Sequence, residues 1–204
     1  MDGGAPAGEA LCKAASGGDA SALRDLIRAG ADVNYHSNRG GETPLHWAAG
    51  NGHTDAMRML LEAGASATAA DKDGKTPLHE AAVYGHTGDA MQMLLEAGAS
   101  ATAADKDGLT PLHRAARFGH TDAMRMLLEA GASVTVTDIR GWTAMHKAAL
   151  NGHTAAMRML LEAGASATAA DKQWRDPAAR GGIQWAHRCD ADAARGGCLG
   201  DGGR

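Results

Sequence analysis

Apolar residues come in two short bursts per unit rather than in one long period. Between Thr76 and Gly98, the first burst contains Leu78, Ala81 and Ala82, and the second contains Met91, Leu94 and Leu95. Thr76 suits the position just before a helix, where its hydroxyl satisfies a free amide, and Pro77 at the first helical position gives up no needed donor. The pattern predicts a short helix from Leu78 through Tyr84, stopped at Gly85. A second helix opens at Thr87 to Asp89, puts Met91, Leu94 and Leu95 on one face, and ends at Gly98. The segment from Ala99 to Leu109 is expected to be an extended loop, with a turn at Asp105-Lys106-Asp107-Gly108.

The same pattern returns along the chain. Thr43-Pro44-Leu45-His46 recurs as Thr76-Pro77-Leu78-His79 and Thr110-Pro111-Leu112-His113, then in altered form as Thr143-Ala144-Met145-His146, at spacings of 33, 34 and 33 residues. The extra residue in the middle interval is Gly88. Segments 53–72 and 153–172 differ only at Asp55 versus Ala155. Two short helices cannot bury their apolar faces alone, so the units must stack.

With its Asp-x-x-Gly-x-Thr-Pro-Leu-His-x-Ala-Ala, then Gly-His, then Leu-Leu-Glu-Ala-Gly-Ala, the chain resembles the ankyrin repeat over residues 8–170. The resemblance implies an all-α solenoid of about five helix-turn-helix units with hairpin-like loops. The units are expected at 8–37 (degenerate, a cap), 38–70, 71–104, 105–137 and 138–170, after a flexible N-terminus at 1–7. A disordered tail is expected at 171–204.

Composition agrees with thin layers. Alanine supplies 46 residues, whereas Leu, Ile, Val and Phe together supply 25, well short of the roughly 20% usual for a globular domain. A net charge of −4 is too small to argue for disorder throughout. Eight of the ten methionines fall in the second helices, where flexible side chains pack adaptably. The mild acidity argues against nucleic acid as a partner, and no apolar run is long enough to span a membrane. Cys12, Cys189 and Cys198 are too few and too scattered for a disulfide framework, so an intracellular, cytoplasmic setting is expected.

The tail departs from the repeat after Lys172. With permitted codons for Trp174 to Arg180, dropping one base makes the neighbouring frame read Gly-Gly-Thr-Pro-Leu-His, and continuing to Arg204 completes a further unit. Residues 174–204 therefore read as a sixth repeat shifted by one base near codon 173. On this reading the last unit lacks a polar cap, and its far face is expected to be open to self-association.

The candidate chemistry is sparse. Eight of ten histidines occupy two repeat slots: His46, His79, His113 and His146, and His53, His86, His120 and His153. They have no convergent Cys, Asp or Glu to complete a metal site, and the resemblance implies hydrogen bonds that hold one unit to the next. Cys12 stands in the slot of His46 and is expected to be a small buried hydrophobe. Asn34 matches a position that asparagine hydroxylases modify in some ankyrin proteins, although a loop-capping role suits it better. No catalytic set, phosphate loop or cofactor motif is found.

Binding residues are sought where the near-identical units differ. These positions hold Trp47, Glu80, Arg114 and Lys147 after the histidine, Tyr84, Arg117 and Phe118 at the end of the first helix, and Glu42, Lys75, Leu109 and Trp142 after the turn glycine. Within units two to five every aromatic falls in this set, as an interface rich in Trp, Tyr and Arg would require. The resemblance places these positions on a concave groove. The expectation is a non-catalytic scaffold binding another protein there, with Arg114, Arg117 and Lys147 giving a positive centre suited to an acidic peptide. The alternative is a truncated or frameshifted product without a selected partner.

Overall fold

The computed structural model describes residues 4–167; residues 168–204, with the tail expected to be disordered and to derive from a shifted sixth repeat, lie outside them. Among the described residues there are ten α-helices and no strand. They are α1 (Gly4–Gly17), α2 (Ala20–Arg28), α3 (Pro44–Gly50), α4 (Thr54–Glu62), α5 (Pro77–Tyr84), α6 (Asp89–Glu96), α7 (Pro111–Phe118), α8 (Thr121–Glu129), α9 (Ala144–Leu150) and α10 (Thr154–Glu162). Helix α1 already begins at Gly4, inside the segment expected to be flexible. Ala5 and Ala7 favour helix, and Pro6 is tolerated in a first turn.

The odd-numbered helices stack in one row and the even-numbered helices in a second. The first row is the tighter because Ala48 and Ala49, Ala81 and Ala82, Ala115 and Ala116, and Ala148 and Ala149 are essentially without solvent contact. Their methyl groups let neighbouring backbones approach, which accounts for the abundance of alanine. Bulk comes from Leu45, Leu78, Leu112 and Met145 in the first row, and from Met57, Met91, Met124 and Met157 with Leu60, Leu94, Leu127 and Leu160 in the second, all at most 2% exposed. Burying each such side chain contributes about 2 kcal/mol. Met59, Met93, Met126 and Met159 are only partly buried against this core.

Histidines tie the rows together in both directions. Thr43, Thr76, Thr110 and Thr143 precede their helices in extended conformation. Each donates its backbone N–H to Nδ1 of the histidine three residues on, at 3.1–3.2 Å. This is a capping box with histidine in the place usual for Glu or Gln. An Nδ1 that accepts leaves the ring proton on Nε2, which donates forward: His46 to the Lys75 carbonyl, His79 to that of Leu109 and His113 to that of Trp142. The second set reaches backward, His53 to the carbonyl of Ser16, His86 to Gly50, His120 to Val83 and His153 to Arg117. Asn34 also bridges units, donating to the Gly64 carbonyl and accepting from the Ser66 amide.

Gly88 is absorbed ahead of α6. Its φ of 70° and ψ of −132° suit only glycine, and α6 begins at Asp89 with eight residues, where α4, α8 and α10 have nine. The turn lengthens and the stack keeps its register.

Candidate binding groove

The loop tips form a second continuous element beside the first row of helices. The amides of Asp71, Asp105 and Asp138 donate to the carbonyls of Lys75, Leu109 and Trp142, closing each tip. Lys106 N–H then donates to the Asp73 carbonyl and Ile139 N–H to that of Asp107, which joins successive tips. Oδ1 of each tip aspartate accepts two amides further along its own tip: Asp73 and Lys75 on Asp71, Asp107 and Leu109 on Asp105, and Arg140 and Trp142 on Asp138.

The varying residues named from the sequence lie along this face but differ in availability. Trp47, Tyr84 and Phe118 are exposed, at 38%, 60% and 43%. Tyr84 stacks beside His86 and Phe118 beside His120, and the Arg117 guanidinium lies 5.4 Å from the Phe118 ring centre. Lys75, Glu80 and Leu109 are half-buried. Trp142 is also half-buried, with its ring stacked on His146 and the Lys147 ammonium 4.6 Å from its centre. Ile139 and Leu150 are exposed as well.

The positive centre expected from Arg114, Arg117 and Lys147 is largely neutralised. Arg114 binds Oδ2 of Asp105 and Lys147 binds Oδ2 of Asp138, both at 2.6 Å and almost out of solvent. Burial would raise the Asp138 carboxyl, but Lys147 and the amides of Trp142 and Arg140 outweigh it and hold the group below its usual range. Arg117 alone of the three projects into solvent.

The groove deepens instead over α3 and α5. A cleft of about 570 Å³ there is lined by Trp47, Tyr84, Glu42, Asp71, Lys75 and Glu80, with Ser16, His46, Gly50, Asn51 and His86 completing it. A neighbouring hollow of about 860 Å³ shares Ser16, Glu42 and Trp47 with it and extends along α1. The cleft opens at Gly50, where α5, α7 and α9 carry Val83, Arg117 and Leu150 at the matching position. A Cβ at Gly50 would lie 3.6 Å from both Glu80 Cβ and the Tyr84 ring. The volume is that of an ordinary ligand or side-chain pocket.

The cleft is acidic. Glu42 accepts from the Ser37 hydroxyl at 2.7 Å; burial opposes its ionisation, but this bond and its own backbone amide hold the carboxyl below the usual range. Burial, with Asp71 and Glu42 nearby, raises the Glu80 carboxyl against the pull of Lys75. Lys75 turns its ammonium to Asp73, 3.2 Å away. Glu42 stands at a varying position, after the turn glycine, whereas Asp71 is shared with the later tips as Asp105 and Asp138 and so is not among the varying residues. The signal was present: Asp105–Arg114 and Asp138–Lys147 are opposite charges nine residues apart, whereas Asp71 and Glu80 at the same spacing are alike.

Among the described residues, no group of three or more His, Cys, Asp or Glu side chains is arranged to hold a metal ion. No described helix is long and apolar enough to cross a membrane. Cys12 is buried beneath the first units, and burial, with Glu9 and Glu42, pushes its thiol up to about 12.

No curated protein matches the chain. The family model described as ankyrin repeats (3 copies) matches residues 11–105 and 88–171. Ankyrin repeats are in general protein–protein interaction modules and typically non-catalytic. The stacked helix pairs, the linked loop tips and this match covering most of the sequence agree, and the chain belongs to the ankyrin-repeat family.

Proposed function

We propose that the chain is a non-catalytic scaffold that binds another protein through the groove formed by its first-row helices and loop tips. The observation that carries this reading is the row of exposed aromatics, Trp47, Tyr84 and Phe118, on successive first-row helices. The other large apolar side chains of α3, α5 and α7 (Leu45, Leu78 and Leu112) are fully buried. Rigid aromatic side chains aligned on one face supply contact area at small entropic cost, which is how interface anchors work.

The test is a Tyr84→Ala/Phe118→Ala double variant. Captured partners should be lost or bind at least about tenfold more weakly, with the far-ultraviolet circular dichroism unchanged. Unaltered capture would overturn the reading, and loss of helical signal would place both rings in the core instead.

A further inference from the structure

Three positions in the first row share one geometry. In units 105–137 and 138–170 the tip aspartate uses Oδ1 for two amides of its own turn and gives Oδ2 to a cation nine residues on. In unit 71–104 Asp71 makes the same two amide bonds through Oδ1. The residue nine positions on is Glu80, and among the described residues neither Asp71 Oδ2 nor the Glu80 carboxylate has an ion pair or hydrogen bond. The arrangement that the chain fills with its own Arg114 and Lys147 is therefore left open at Asp71, at the place where Gly50 opens the cleft.

We propose that this cleft receives an arginine or lysine side chain from an extended segment of the partner protein, held by Asp71 and Glu80 between the rings of Trp47 and Tyr84. The proposal rests on the reading of the groove as a protein-binding surface and names the chemistry of what binds there. Charge complementarity is the argument. Glu42, Asp71 and Glu80 face the cleft against Lys75 alone, which is turned toward Asp73.

The template for the bound state lies in the same molecule. Lys147 sits at once 2.6 Å from an aspartate oxygen and 4.6 Å from the centre of the Trp142 ring. A cation between a carboxylate and an aromatic face gains from both, and a partly desolvated site strengthens both. Glu80 adds a second carboxylate, so an incoming guanidinium meets two acceptors where Lys147 meets one. Burial, and after it the like charges of Asp71 and Glu42, raise the Glu80 carboxyl despite Lys75 and Arg114, as suits a partly desolvated acid that a further cation would stabilise.

The experiment uses the full chain and two small probes, N-acetyl-arginine amide and its neutral analogue N-acetyl-citrulline amide, titrated by NMR. The arginine probe should bind saturably and shift the Trp47 indole and the Glu80 amide, and the citrulline probe should bind about tenfold more weakly or not at all. Glu80→Lys, which supplies the cation internally, should abolish probe binding and raise Tm by a few degrees, because it recreates the pairing of Lys147 with Asp138. Equal binding of both probes, or a Glu80→Lys variant that binds arginine as the native chain does, overturns the proposal. If the arginine probe behaves as expected while partner capture ignores Tyr84→Ala/Phe118→Ala, the cation site stands and the scaffold reading fails. If capture depends on those aromatics but the arginine probe does not bind, the scaffold reading stands and the cation site fails.

Discussion

His113 donates its Nε2 proton to the carbonyl oxygen of Trp142 across the boundary between two units, over 3.0 Å. Its Nδ1 is occupied by the Thr110 amide, so the ring serves only while neutral. Burial lowers its pKa from 6.5 to about 4. Burial lowers His46 and His79 likewise, against their bonds to Lys75 and Leu109. The unfolded chain then takes up protons near pH 6.5 while the folded chain does not. Stability is fully present above that pH and drains away as the pH falls toward the folded values. His113 alone removes on the order of 3 kcal/mol once the pH is below its folded value. Asp138, held low, adds stability that is fully present above its ordinary value of 3.8 and is lost only below it, outside this window. Urea melts from pH 7.5 to 4.5 should show falling stability, and His113→Gln, which keeps a capping acceptor, should flatten the slope. A flat profile in the native chain would contradict this account.

Arg114 and Asp105 give a second prediction. The Asp105 side chain is 2% exposed, so Arg114→Leu strands a buried carboxylate and should cost about 3 kcal/mol. Asp105→Asn combined with Arg114→Leu should lose less than the sum of the single changes. Arg58→Leu, which breaks the exposed pair with Asp55, should cost under about 0.5 kcal/mol. Denaturant titration checks all four variants; equal effects at Arg114 and Arg58 would mean that burial does not govern the pairs.

Two glycines with left-handed backbone separate strain from space. Gly85 has φ 71°, and a Cβ there would lie 2.6 Å from Nδ1 of His120, the ring that anchors the next unit to Val83. Gly64 has φ 91° and nothing within 4 Å. Gly64→Ala should cost about 1 kcal/mol from the backbone alone, and Gly85→Ala clearly more. Equal Tm losses would show that His120 moves aside freely.

Deleting Gly88 tests the one irregular interval. Without it, α6 regains the spacing of its neighbours and can start a residue earlier, at Thr87. The variant should gain a few tenths to about 1 kcal/mol in urea, since a glycine with wide conformational freedom is removed from the unfolded chain. A loss of stability would mean that the longer turn makes contacts the regular one lacks.

Local features make the architecture legible in the sequence. The Thr-Pro starts, the glycine stops and the Leu/Met faces each act within a few residues, where spacing and hydrogen-bonding capacity settle the outcome. The exposed aromatics were legible too, because Trp47, Tyr84 and Phe118 stand where otherwise near-identical units differ. The positive centre was misread for a reason equally specific. Arg114 and Lys147 meet carboxylates on loop tips that fold back across the start of their own helices, and a list of charged residues does not show that approach.

The sequence by itself determined the period, the helix pairs and the roles of the capping residues, because these are properties of short stretches of backbone. The tertiary structure decided which of the charges are brought together and which of those pairs are buried. Arg114 and Lys147 are neutralised by Asp105 and Asp138. Asp71 and Glu80, at the same nine-residue spacing, repel each other beside the opening left by Gly50. Electrostatic pairing depends on distance and burial in space, and those exist only once the tips lie against the helices.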